Sequence, residues 1–358
     1  MSQSRRSFAS DNVAPIAPEM LAALARVNQG TAHSYGDDPE TRQLTDRARA
    51  VFETDLVIHP VTTGTAANAL ALAVMAPPFG AIFCHETAHV NTDECGAPEF
   101  YTGGAKLLGL ASADGKITPA QLTAPIAHAR EMGVHHVVPA ALSLTQATEW
   151  GTVYTRAELT ALAGAAHAAG LTVHMDGARF ANALVHLGCT PAQASWQCGV
   201  DVLTLGATKN GALAAEAVIF FDPALARDFE LRRKRAGHLW SKMRYLSAQL
   251  HAYLDDDLWL RCARTANDLA RRLAAGLQGL GLRLCQPVEA NEVFAEFPAT
   301  LIAALREAGF EFHEWPAPPQ ASHPLVRLVT SYDMTGADVD GLLAAVSRCA
   351  PGTPRQSG

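Results

Sequence analysis

Between residues 55 and 221 short apolar runs alternate with longer alanine-rich stretches, and this rhythm restricts the possible folds more than any other feature. The runs at 55–61, 81–84, 105–110, 134–138, 171–175, 200–205 and 215–221 have strand length. Stretches such as 65–75, 118–131 and 156–169 between them read as helices. Strand–helix alternation predicts an α/β fold, a mostly parallel seven-stranded sheet with helices on both faces. After Asp222 the texture changes. Residues 224–280 read as mainly helical, and the remainder mixes strand candidates at 283–285, 292–296, 311–314 and 326–330 with helices at 299–308 and 336–348. The pattern predicts a large domain over 1–250, with an N-terminal arm, and a smaller α+β domain over 251–358.

The chain has 358 residues, 49% of them apolar and 18% charged, with a net charge of −7, enough for a large core and two domains. Mild acidity argues against a nucleic-acid surface. The basic run Arg232-Arg233-Lys234-Arg235 is the exception, and its simplest reading is a solvated helix face. No run has the length of a membrane-spanning helix. Ser4-Arg5-Arg6-Ser7-Phe8 is superficially like a twin-arginine export signal, but Ser10-Asp11-Asn12 follows where an apolar stretch is needed. The reading is a mature N-terminus and a cytoplasmic protein. Seven scattered cysteines without a C-x-x-C pair argue against a disulfide framework or a zinc site.

Chemistry concentrates where strands end. Lys209 sits on the small-residue turn Gly206-Ala207-Thr208-Lys209-Asn210-Gly211, just after the run 200–205. Asp176 closes the run 171–175 and is followed by Gly177-Ala178-Arg179. A lysine amine that condenses with an aldehyde, and a carboxylate that keeps a pyridine nitrogen protonated, are what pyridoxal 5'-phosphate needs. A free lysine amine, with a pKa of about 10.4, is a poor nucleophile at neutral pH. Apolar surroundings and a cationic ring favour its neutral form. Taken alone, Lys209 also reads as a surface charge and Asp176 as a helix cap.

Thr62-Thr63-Gly64-Thr65 follows the first strand and opens an Ala/Leu helix, where free N–H groups and hydroxyls seat an anion such as phosphate. His85-Glu86-Thr87-Ala88-His89 starts the next helical segment; an imidazole there can stack on a ring and exchange protons near neutrality. As a string it also spells the zinc-protease motif H-E-x-x-H. That motif belongs in mid-helix with a third ligand, and here it follows a strand end directly, so no metal is expected.

In this order, Ser10-Asp11-Asn12, Tyr35-Gly36-Asp37-Asp38-Pro39, Thr63-Gly64-Thr65-Ala66-Ala67-Asn68, Ala88-His89, Asp176-Gly177-Ala178-Arg179 and Thr208-Lys209 resemble the low-specificity L-threonine aldolases, over nearly the whole chain to Arg327. The resemblance implies an aspartate-aminotransferase type of fold and a homodimer or homotetramer with shared active sites. It implies reversible cleavage of a β-hydroxy-α-amino acid to glycine and an aldehyde, acetaldehyde from threonine or benzaldehyde from phenylserine. By the same resemblance Lys209 is the Schiff-base lysine, with Thr208 beside it. Asp176 pairs with the ring nitrogen, and Gly64 and Thr65 hold phosphate. Arg179 supports the cofactor or the substrate carboxylate, while Ser10 and Arg327 grip that carboxylate. His89 stacks on the ring and serves as base, and Lys234 and Arg244 reach the neighbouring subunit's site. Many relatives carry an E-N-T-H histidine near the substrate hydroxyl. Here the stretch corresponds to Ser143-Leu144-Thr145-Gln146, and Gln146 hydrogen-bonds but cannot act as a base. Three other readings stay open: a different pyridoxal-phosphate lyase or aminotransferase, a zinc hydrolase, and a non-catalytic binding protein on the same fold.

Overall fold

The computed structural model describes residues 6–349. Ser4 and Arg5 of the apparent export signal lie outside them. The strands are β1 (Arg6–Ser7), β2 (Val57–Val61), β3 (Gly80–His85), β4 (Lys106–Leu110), β5 (Val138–Thr145), β6 (Thr172–Gly177), β7 (Val202–Gly206), β8 (Glu216–Phe220), β9 (Glu292–Glu296), β10 (Phe310–Glu311), β11 (His313–Trp315) and β12 (Leu325–Val329). Seven of them form one sheet in the order β2-β8-β7-β6-β5-β3-β4. Only β8 runs against its neighbours β2 and β7; the other pairings are parallel.

Helices cover both faces, as continuous burial on both sides of a parallel sheet requires. On one face Leu203, Leu205 and Phe83 pack with Leu44, Phe52, Leu159, Leu162 and Trp259. On the other, Ile82, Val202 and Val218 pack with Leu70, Leu72 and Phe229. Helix starts follow the local chemistry. Thr118 and Thr155 form capping boxes with Gln121 and Glu158, and Thr63 accepts the Ala66 N–H.

A three-stranded antiparallel sheet, β11-β12-β9, carries the second core, with Leu273, Leu277, Val293, Phe297, Leu305 and Val346. The helix Leu258–Gly279 belongs to both cores: Leu258, Trp259 and Cys262 face the first, Leu269, Leu273 and Leu277 the second. The N-terminal segment also joins them. Its β1 pairs parallel with β10, and Phe8 lies in the second core. Phe8 N–H donates to the Glu311 carbonyl, and the Phe8 carbonyl accepts from Val329 N–H.

Three predicted strands differ. Residues 134–138 are not a strand: Gly133–His135 is a short 3-10 turn with Val134 98% exposed, and β5 starts only at Val138. Pro139 masks β5 in the sequence, but it sits at the strand start, at a register shift, where a missing N–H is tolerated. The 283–285 run makes only an isolated bridge, Leu284 to Ala295. The 311–314 run is split, because β10 pairs with the N-terminal segment and β11 with β12.

Candidate active site

The carboxyl ends of β6 and β7 lie side by side, and close backbone approach brings their loops together. A Cβ on Gly177 would stand 2.6 Å from the Thr204 carbonyl oxygen, and one on Gly206 would stand 2.6–2.9 Å from the Ala178 backbone. Asp176 is buried at the end of β6. Its Oδ2 accepts from Asn68 Nδ2 at 2.7 Å and its Oδ1 from Ala178 N–H at 3.0 Å.

The turn after β7 is clamped around Lys209. Glu216 accepts the Ala207 N–H at 3.0 Å, Thr208 Oγ1 accepts the Ala215 N–H at 3.2 Å, and Asn210 donates to the Tyr253 hydroxyl and the Trp259 carbonyl. Tyr253 in turn donates to the Gly206 carbonyl. Gly211 takes φ +108°, and its α-carbon faces Ala17, whose Cβ would lie 3.0 Å from an added methyl, so only glycine fits this corner. Among the described residues the Lys209 ammonium has no hydrogen-bond or ion-pair partner. Its charge acts on the Asp11 and Glu216 carboxyls and on the His89 ring.

A chain of hydrogen bonds links Asp176 to His89. The second Asn68 N–H goes to Glu94 Oε1 at 2.8 Å, and that oxygen meets His89 Nδ1 at 2.9 Å. A carboxylate only accepts, so the imidazole carries its proton on Nδ1 and leaves Nε2 as the basic atom. The Glu94 hydrogen bond raises the His89 pKa, and burial raises that of Glu94. His85 does not converge with His89: its ring bonds Thr87 and Ser112. No group of three His, Cys, Asp or Glu suited to a metal ion occurs among the described residues.

Arg179 is mostly buried and already paired. Its Nε and Nη2 donate to Asp11 at 2.8 and 3.0 Å, and Nη1 lies 3.4 Å from Glu292. Burial alone would raise the Asp11 pKa, but the Arg179 charge outweighs it and holds the carboxyl below its usual range. Arg327 joins this group: Nη2 donates to the Ala9 carbonyl at 3.1 Å, Nη1 lies 3.8 Å from Glu292, and the guanidinium stands 4.6 Å over the Trp315 ring. Ser10 is next along the chain and accepts the Asn12 N–H. Burial and the nearby Arg179 charge lower the Arg327 pKa.

The helix Gly64–Met75 begins with the N–H groups of Gly64 and Thr65 unpartnered among the described residues, while Thr63 takes those of Ala66 and Ala67. No heavy atom lies within 4 Å of where a Gly64 Cβ would be. Thr62 Oγ1 meets His238 Nδ1 at 2.9 Å beside this helix start. An open helix N-terminus for phosphate, a buried carboxylate for a ring nitrogen and an uncommitted amine for an aldehyde are the donor set pyridoxal phosphate requires, and these residues fit it.

One expected member stands elsewhere. Gln146 is fully buried and engaged within its own loop: Nε2 donates to the Tyr154 carbonyl and Oε1 accepts the Tyr154 N–H. Arg244, expected to reach the neighbouring subunit's site, starts the helix Arg244–Leu254, where among the described residues it donates to the Gly30 carbonyl and the Tyr245 hydroxyl. The basic run is not a simple solvated face either. Arg233 is buried, donates to the Pro60 carbonyl, and burial lowers its pKa to about 10; the Lys234 ammonium stands 4.3 Å over the Tyr35 ring. Sequence reasoning missed Asn68, Glu94, Asp11, Glu292 and Glu149. Asn68 and Asp11 lie inside quoted motifs, whereas nothing local marks the three glutamates.

Residues 7–300 match the family described as beta-eliminating lyase. The chain is 48% identical to the low specificity L-threonine aldolase of Pseudomonas aeruginosa over 314 residues, 87% of this chain and 90% of that protein. It is 44% identical to the enzyme of the same name from a Pseudomonas sp. strain over 347 residues, 97% and 98% of the two chains. Among solved structures, a threonine aldolase of Leishmania major superposes with a TM-score of 0.89 at 28% identity, covering 96% of this chain and 98% of that one.

Proposed function

The chain belongs to the beta-eliminating lyase family and to the low-specificity L-threonine aldolases, and from that premise we propose that it is a pyridoxal-phosphate-dependent carbon–carbon lyase cleaving L-threonine, L-allo-threonine and related β-hydroxy-α-amino acids reversibly to glycine and an aldehyde. The observation that carries this reading is the buried Asp176 carboxylate at the end of β6 and, on the turn after its parallel neighbour β7, the Lys209 amine without a partner among the described residues. When bound, the cofactor supplies an electron sink for the pair left on Cα.

The chain's own residues would do the rest. Asp176, fixed by Asn68 and Ala178, offers a charge for the ring nitrogen. Gly64 and Thr65 N–H groups would hold the phosphate, with Thr208 shaping the lysine turn. Arg327 and Ser10 would seat the substrate carboxylate, and Arg179, braced by Asp11, would set the floor beneath it. That grip would orient the substrate's Cα bonds relative to the cofactor, and so would select the reaction. His89 would lie against the ring and exchange the hydroxyl proton through Nε2, its other nitrogen tied to Glu94.

In this reading the chain divides near residue 250 into the large cofactor-binding unit and the smaller α+β unit. It assembles as a homodimer or homotetramer in the cytoplasm. Exposed Leu231 precedes Lys234 and exposed Trp240 lies between Lys234 and Arg244, which supports pairing there and a reach into the neighbouring site. No described helix is long and apolar enough to cross a membrane.

Purified protein supplied with pyridoxal phosphate and L-threonine should release glycine and acetaldehyde in equal amounts. Lys209→Ala should abolish both turnover and the borohydride-fixable cofactor. Release of a keto acid and ammonia instead would overturn the assignment in favour of an eliminating lyase.

A further inference from the structure

The loop after β5 turns Gln146 inward and Glu149 toward the site. Gln146 closes the loop on Tyr154, and its backbone N–H donates to the Asp176 carbonyl at 2.8 Å. Glu149 is thereby held against the start of the His89 segment. Its Oε1 accepts from the His89 N–H at 2.8 Å and from Thr145 Oγ1 at 2.9 Å. Its Oε2 is shielded from water and has no partner among the described residues. A bare buried acceptor costs about 1–3 kcal/mol, so native structures rarely keep one without a use. Nothing in the reading of the reaction above employs this oxygen.

We infer that Glu149 is a second proton-transferring catalytic residue of the aldol cleavage, its free Oε2 being the seat of the substrate's β-hydroxyl. The inference rests on the aldolase reading and deepens it. In cleavage the hydroxyl O–H bond breaks toward Oε2, with His89 Nε2 exchanging that proton onward, and its electron pair becomes the second carbonyl bond of the aldehyde. The Cα–Cβ pair remains on Cα, and a proton taken up there completes glycine, so atoms and electrons balance. In synthesis the same oxygen returns the proton to the new hydroxyl.

The surroundings suit a carboxyl that changes charge near neutrality. Glu149 faces Asp176 and Arg179 from β6 and its loop, Cys84 from β3, the His89 segment, and Tyr154 of its own loop. Burial, with the like charge of Asp176, pushes its pKa up to about 7, against the pull of the His89 N–H. A group poised there both accepts and returns a proton at working pH.

The test is Glu149→Gln in the holoenzyme. Glutamine keeps the length and can still accept from the His89 N–H, but it cannot titrate. Threonine cleavage should fall by about 10²–10⁴-fold and lose the Glu149 contribution to its pH profile, leaving the His89 limb. Exchange of the glycine α-hydrogen with solvent, which needs no hydroxyl proton transfer, should stay within a few-fold of wild type. In cofactor-free protein, the infrared carboxylic-acid absorption that disappears as the pH passes neutrality should shrink in the variant. Cleavage near the wild-type rate with an unchanged pH profile overturns the inference. Parallel loss of cleavage and exchange does so too, since it marks a structural role. The aldolase reading fails separately, if wild-type protein makes no glycine and aldehyde.

Discussion

His89, Glu94, Asn68 and Asp176 form one hydrogen-bonded line from the proposed base to the proposed ring partner. Its members therefore act on one another's protonation. The Glu94 hydrogen bond raises the His89 pKa, so Glu94→Gln should move the acid limb of the kcat/KM profile to lower pH, the imidazole then shedding its proton more easily. His89→Asn should cut turnover by about 10²–10⁴-fold while cofactor loading, followed by absorbance, stays close to wild type. A loading loss as large as the rate loss would assign His89 to binding alone. The sequence made His89, Asp176 and Lys209 legible because each ends or follows an apolar run. It did not reveal that Gln146 points inward, because that depends on Tyr154 offering both its N–H and its carbonyl to one amide. Glu149 was invisible for the same reason: only the closed loop brings it to His89.

At the scale of elements, β6 and β7 approach where Gly177 and Gly206 have no side chains. Gly206→Ala would drive a methyl into the Ala178 backbone and force apart the two loops that hold Asp176 and Lys209. Such overpacking costs typically about 1–3 kcal/mol. Weaker cofactor retention should accompany a lower Tm, both measurable on one preparation. Retained loading at a lowered Tm would mean the loops are held by the turn contacts alone. Strands with largely apolar runs and no proline, such as β6, β7 and β8, could be read directly. β5 could not, because Pro139 and Ser143 interrupt its pattern while burial within the sheet still favours extension. β10 and β11 were read as one strand, because which partner each residue pairs with is not written in the local sequence.

Across the whole molecule, buried titratable groups couple stability to pH. Burial raises the Glu216 carboxyl from 4.5 to about 7. Below the unfolded value both states are protonated and the full stability is present; as pH rises through the folded value it is lost. The change corresponds to a ceiling of roughly 3 kcal/mol. Burial lowers His59 to about 3 and His174 to about 4, with the opposite sign: their contribution is present above about 6.5 and lost as pH falls. Glu216→Gln, which can still accept the Ala207 N–H, should therefore match wild type in urea unfolding at acid pH and exceed it at alkaline pH. Equal curves at both ends would mean the carboxyl ionises at the same pH in the folded and unfolded states. The α/β alternation foretold the sheet because it is a periodic property, whereas the path of the N-terminal segment left no such trace.

That segment has one end in the second core, where Phe8 packs, and the other in the site, where Asp11 braces Arg179. Only two residues separate those anchors, too few to absorb slack. Loosening the pocket around Phe8, far from any reacting atom, drags the carboxylate off its guanidinium. Substitutions selected there for heat tolerance thus register as changes in catalysis, and the remote core becomes a tuning peg for the chemistry.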